Sequence, residues 1–250
     1  MQQNSPMPLN INIFPTPQAL SEAAARHIIE LAKYYIQKNG RFTVSLSGGS
    51  TPERLFKLLA QSPYIDQMPW QNTCFFWGDE RCVPLDDERN NAYQAIKLLF
   101  SKVNIPANNI FRIPTHLPPQ AAAAQYEQTI KDFFGNAKPR FDLTLLGMGD
   151  DGHTASLFPG TEVLHDTKHL VKEIYIDKVS MHRITMTAPF INQSHHIIFL
   201  VTGAGKAEIL KTVLQDNHEP ELYPAQLIQP VDGTLLWMVD EAAAALLQNI

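Results

Sequence analysis

Cysteine is scarce in this chain: in 250 residues there are two, Cys74 and Cys82. A disulfide framework or a thiolate metal site needs more cysteines or closer spacing, so neither is expected, and a reduced, cytoplasmic setting is the simplest reading. Positive charge is not in excess either. The chain carries 20 Lys and Arg against 25 Asp and Glu, a formal net charge of −5, which argues against a nucleic-acid-binding surface or an anionic-membrane surface. Long apolar runs are missing: residues 197–201 are far too short to span a bilayer. Residues 1–12 lack a basic region followed by an apolar core, so no signal peptide is expected, and without one the sequon Asn192-Gln193-Ser194 carries little meaning. Repeats, low-complexity tracts and convincing linkers are absent. So are the nucleoside-triphosphate P-loop, the Gly-x-Ser-x-Gly nucleophile elbow and a zinc-ligand pattern. No metal and no cofactor is expected.

What is present is enough apolar material for a core. Hydrophobic residues make up 44% and charged residues 18%, which fits one folded domain over residues 1–250. Apolar residues at Leu20, Ala24, Ile28, Leu31 and Tyr35 recur at helical spacing and stop at Gly40. Further helices are expected over residues 52–60, 91–100, 121–134, 204–214 and 241–248. Strands are expected over 42–46, 73–77, 141–146, 169–176, 183–187, 197–201 and 235–239. Strands and helices alternate, and several strands are continuously apolar. That pattern predicts an α/β fold with a mainly parallel sheet covered on both faces, a three-layer α/β/α sandwich. Residues 113–119 read as a loop.

Four strand ends carry unusual sequences: Ser47-Gly48-Gly49-Ser50-Thr51-Pro52, Gly78-Asp79-Glu80-Arg81, Gly147-Met148-Gly149-Asp150-Asp151-Gly152-His153, and Thr202-Gly203-Ala204-Gly205-Lys206. In a parallel sheet the carboxyl ends of the strands share one edge, so these loops are expected to converge on one cleft. In the first, Gly48 and Gly49 free the backbone, Ser50 or Thr51 is placed to cap a helix, and Pro52 suits its first position. The N–H groups of such a helix start suit a phosphate. In the second, Arg81 offers bidentate recognition of phosphate, with the acids orienting it or contacting sugar hydroxyls. Lys206 lies in the first turn of its helix, where an anionic ligand would offset its unfavourable position in the helix dipole.

The third segment matches Gly-x-Gly-x-x-Gly. Asp150 and Asp151 would place negative charge inside a pyrophosphate loop, the following helix is short, and the motif is in mid-chain, so a dinucleotide site is rejected. His153 is the best candidate base, with Asp150 or Asp151 positioned to orient its ring.

These segments together resemble the 6-phosphogluconolactonase family, most specifically through residues 147–160. Arg183-Ile184-Thr185 and the 202–206 loop are similar to that family too. The resemblance implies a single domain related to glucosamine-6-phosphate deaminases and ribose-5-phosphate isomerases. It implies cofactor-free hydrolysis of a small sugar-phosphate lactone, 6-phosphoglucono-δ-lactone, in the oxidative pentose phosphate pathway. By position, His153 with Asp151 would be catalytic. Arg81 and Lys206 would hold the phosphate with Gly48, Gly49, Ser50 and Thr51, and Asp79 and Arg183 would touch substrate. Arg183 is also placed to brace the acidic loop. A monomer or homodimer is expected.

Two other readings remain. A deaminase or isomerase on the same scaffold has Asn-Glu-Pro after the histidine, where this chain has Leu157-Phe158-Pro159-Gly160. A sugar-phosphate sensor would need an output module, and the sequence offers none.

Overall fold

The computed structural model describes residues 9–249, so most of the 1–12 segment read for a leader lies outside the described residues. In chain order the strands are β1 (Ile11–Phe14), β2 (Phe42–Leu46), β3 (Thr73–Trp77), β4 (Asp79–Arg81), β5 (Leu143–Leu146), β6 (Val171–Ile176), β7 (Met181–Met186), β8 (His196–Val201) and β9 (Thr234–Asp240). The α-helices are α1 (Pro17–Asn39), α2 (Ser50–Leu59), α3 (Tyr64–Gln67), α4 (Asn91–Leu98), α5 (Pro119–Phe134), α6 (Ala188–Ile191), α7 (Ala207–Gln215) and α8 (Glu241–Ala244). Six strands form one sheet in the order β1-β9-β8-β5-β2-β3, every pair parallel. The other three form a small antiparallel sheet, β4-β7-β6.

The continuously apolar strands are the ones covered on both faces. Every residue of β2, β3 and β5 is buried. Alternation along β3 divides the core: Phe75 packs on Trp70 and Phe100, and Phe76 packs on Phe111, Phe141 and the α5 residue Phe133. Between α1 and α2 on one side, Ile28, Leu55 and Phe56 meet Val44, Leu46 and Leu145. Two helical layers therefore enclose the parallel sheet, as the sequence pattern predicts.

One buried carboxylate sets the register of the central strands. Asp142 Oδ2 accepts the Thr43 backbone N–H and the Thr43 hydroxyl, each at 2.8 Å, and the Asp142 N–H returns to Thr43 Oγ1 at 2.9 Å. Beyond this bracket Val44 faces Leu143 and Ser45 faces Thr144. A slip of one residue would turn each side chain to the opposite face.

Several boundaries differ from the expectation. α1 begins earlier, at Pro17, behind a Thr16 cap, and ends at Gly40 as expected. α2 begins at Ser50 rather than Pro52, and no side chain caps it; the Thr51 hydroxyl instead meets Thr202 Oγ1 at 2.8 Å. The 204–214 helix is a 3₁₀ turn, Ala204–Lys206, followed by α7. The last helix stops at Ala244. Strand β1 has no counterpart in the expectation, because a four-residue edge strand lacks the buried run that marks a central one.

The largest difference is β4. Asp79, Glu80 and Arg81 read as a loop, but they form a strand antiparallel to β7, with Arg81 opposite Arg183. Glu80 is turned into the protein. Its Oε1 accepts the N–H groups of Arg81 and Asn91 at 2.8 and 2.7 Å, and its Oε2 that of Ala92 at 2.9 Å. It binds the amino end of α4 and takes no part in the cleft. Burial pushes its carboxyl up to about 7, opposed by those three N–H donors. An acid with a raised folded-state value holds its proton more tightly when folded. Its stabilisation, measured against a residue that does not titrate, is therefore greatest below about pH 4.5 and is lost as the pH rises through about 7. Urea midpoints of the wild type and Glu80→Gln should thus shift against the wild type between pH 5 and pH 8. A difference that does not change with pH would contradict this account.

Candidate functional site

The sheet order brings the carboxyl ends of β8, β5 and β2 side by side. The loops that follow them, with β4 and β7, line a cavity of about 410 Å³. All ten residues singled out from the sequence line it: Gly48, Gly49, Ser50, Thr51, Asp79, Arg81, Asp151, His153, Arg183 and Lys206. The convergence expected of a parallel sheet edge is what the fold delivers.

His153 is held from three directions. Its Nδ1 lies 2.5 Å from Asp151 Oδ1. Its ring stacks on Phe158, with centroids 4.0 Å apart and planes at 19°. Its carbonyl accepts the Gly149 N–H at 2.9 Å. The ring lies directly over Gly149, where a β-carbon would come within 2.0 Å of it. The second glycine of the motif is thus needed for close approach of an imidazole. With Nδ1 occupied by the carboxylate, Nε2 is the nitrogen left for a ligand.

The two neighbouring aspartates have separate partners. Asp151 holds His153, and its other oxygen, Oδ2, accepts Lys178 Nζ at 2.8 Å. The hydrogen bond from His153, reinforced by Lys178, holds its carboxyl well below the usual carboxylate range despite partial burial. Asp150 is exposed and pairs with Lys206, which lowers its pKa as well. Lys206 ends the 3₁₀ turn ahead of α7.

From the small sheet, the in-register pair Arg81 and Arg183 brings two guanidinium side chains to the cavity lining. Arg81 Nη1 donates to the Arg89 carbonyl at 2.7 Å. The buried Nε atoms of both arginines have no protein partner. Burial lowers the Arg183 pKa, Arg81 adds to that, and Asp79 opposes it. Asp79 is itself buried, with Oδ2 accepting the Ser156 hydroxyl at 2.6 Å. Two guanidinium groups in the cavity lining, beside an uncapped helix start at Gly49 and Ser50, make chemistry suited to an anion.

Sequence reasoning missed Lys178 and Asn91, and gave no role to Thr202 and Ser156 although both lie in segments it singled out. Asn91 is buried, donates to the Asp79 carbonyl at 3.1 Å and lies against Gly48, where a β-carbon would meet its side chain at 1.9 Å. Thr202 ties the loop after β8 to Thr51. No local pattern marks Lys178 or Asn91. Among the described residues, no cluster of His, Cys, Asp and Glu is arranged to hold a metal ion, and no helix is long and apolar enough to cross a membrane.

The profile of the family described as Glucosamine-6-phosphate isomerases/6-phosphogluconolactonase matches residues 15–237. A 6-phosphogluconolactonase of Nostoc sp. is 40% identical over 243 residues, covering 96% of this chain and 98% of the relative. The crystal structure of the devB protein superposes with a TM-score of 0.88 at 41% identity, covering 95% of this chain and 98% of the other. The 6-phosphogluconolactonase from Trypanosoma cruzi superposes with a TM-score of 0.85 at 27% identity, covering 95% and 96%. On this evidence of sequence and fold, the chain belongs to the glucosamine-6-phosphate isomerase/6-phosphogluconolactonase family.

Proposed function

We propose that this chain, acting as a single domain, hydrolyses 6-phospho-D-glucono-1,5-lactone to 6-phospho-D-gluconate, with His153 as general base on water. The observation that carries this reading is the presence, in the lining of one cavity, of the Asp151–His153 pair together with the cations Arg81, Arg183 and Lys206. Family membership over nearly the whole chain supports the substrate class.

Arg81, Arg183 and the amino end of α2 hold the phosphate, joined by Lys206 once substrate draws it from Asp150. Fixing that remote group sets C1 of the sugar near His153 and lowers the entropic part of the barrier. Asp79 accepts hydrogen bonds from sugar hydroxyls. His153 Nε2 takes a proton from water as the water oxygen bonds to C1, giving a tetrahedral oxyanion and an imidazolium. Backbone N–H groups of the glycine-rich loops stabilise the oxyanion. Asp151 keeps Nδ1 protonated and balances the charge on the ring. The oxyanion then collapses, the bond from C1 to the ring oxygen breaks, and the imidazolium returns its proton to that oxygen. The new acid loses its proton to solvent. Two free cysteines fit a cytoplasmic enzyme, working as a monomer or homodimer.

The deaminase or isomerase alternative wants a carboxylate beyond the histidine. Phe158 occupies that region and stacks on the ring, while Glu80 is committed to α4. Asp79 is the one acid left, and it is bonded to Ser156.

Generating the lactone enzymatically and following its loss above the spontaneous rate, with glucosamine 6-phosphate as a parallel substrate, tests the assignment. Turnover of the amino sugar without lactonase activity would overturn it, and binding without turnover would favour a sensor. His153→Ala should lower kcat by about 10² to 10⁴ with little change in substrate binding; a near-normal kcat would remove His153 as the base. Arg81→Ala and Arg183→Ala should each raise KM about tenfold or more with a smaller effect on kcat. Unchanged KM in both variants would move the phosphate elsewhere.

A further inference from the structure

We propose that Lys178 is a positioning residue for His153, acting through the outer oxygen of Asp151; the inference rests on the reading of His153 as the base. Lys178 lies in the 3₁₀ turn Asp177–Val179 that joins β6 to β7. It is 27 residues from Asp151 along the chain, yet its Nζ lies 2.8 Å from Asp151 Oδ2. Asp151 Oδ1 is meanwhile 2.5 Å from His153 Nδ1. A carboxylate held at one oxygen only can rotate about its terminal torsion, which is broad for Asp. Held at both, it presents Oδ1 to Nδ1 in one orientation and so fixes where Nε2 points. Lys178 also lines the cavity.

The side chain of Lys178 is 69% exposed, so stabilising the fold is a poor explanation for the contact: exposed ion pairs contribute little. Its position gives it another consequence. The same hairpin carries Arg183 in β7, so the hairpin that supplies a cation to the cavity lining also supplies one, from its turn, to the carboxylate behind the base. Lys178 is one carboxylate away from the imidazole. The other charges around His153 are Asp150 and Asp151 from its own loop, with Lys206 reaching Asp150 from the turn before α7. Asp79 and Arg81 of β4 and Arg183 of β7 share the cavity lining. Lys206 is paired with Asp150, and among the described residues Lys178 is the lysine bonded to Asp151.

The test compares wild type, Lys178→Met, Lys178→Arg and His153→Ala in the lactonase assay, with the spontaneous rate subtracted, across a pH series at low and high ionic strength. Lys178→Met should lower kcat about two- to fivefold with KM little changed. Losing a nearby positive charge favours the imidazolium, so the acid limb of kcat should move to higher pH by a few tenths of a unit. The displacement should shrink in high salt, because an exposed charge is screened. Lys178→Arg should restore both kcat and the limb. An unchanged kcat and acid limb in Lys178→Met, with His153→Ala inactive, would overturn the role of Lys178 and leave the base in place. A raised KM alone would make Lys178 a substrate-binding cation instead, and failure of Lys178→Arg to restore kcat would also overturn the proposal. Full activity of His153→Ala would remove the base and, with it, the role of Lys178.

Discussion

Parallel pairing of β2, β5 and β8 is the constraint on which the rest of the structure depends. Because the three strands run the same way, the chain leaves each of them at one edge of the sheet. The Asp142–Thr43 bracket at the opposite edge holds β2 and β5 in step. A shift between them would carry the 47–51 loop away from the 147–153 loop and turn buried faces outward. The cavity is therefore a product of register more than of any single loop.

Crowding does the finer work. His153 lies on Gly149 so closely that no side chain fits beneath it, and Phe158 covers the other side of the ring. Asn91 lies as closely on Gly48. Glycine at these two places is required by the approach of a neighbouring side chain, and the middle glycine of the 147–152 match to a dinucleotide fingerprint has that physical origin here. The neighbouring aspartates then divide two tasks, one behind the imidazole and one against Lys206.

The small antiparallel sheet completes the site from outside the main one. It exists because the chain runs on from β3 through Gly78 into β4, which leaves the main sheet and pairs with β7. Alternation along β4 sends Asp79 and Arg81 to the cavity and Glu80 into the protein against α4. Three adjacent polar residues that look equivalent in sequence thereby acquire opposite surroundings. The same pairing sets Arg81 opposite Arg183.

Read alone, the sequence determined the layers, the central strands and the edge at which the site would form. Burial on both faces leaves a continuous apolar run, and a parallel strand has only one carboxyl end. It also pointed to His153, through a Gly/Asp loop that follows such a run. It left open which aspartate serves the histidine, made no distinction between the sides of Asp79 and Glu80, and gave no sign of Lys178 or Asn91. Tertiary structure decided those matters because the partners come from distant elements. Lys178 and Lys206 reach Asp151 and Asp150 across 27 and 56 residues of chain. Neither periodicity nor local spacing records a contact made by packing a hairpin and a strand-end turn against a third loop.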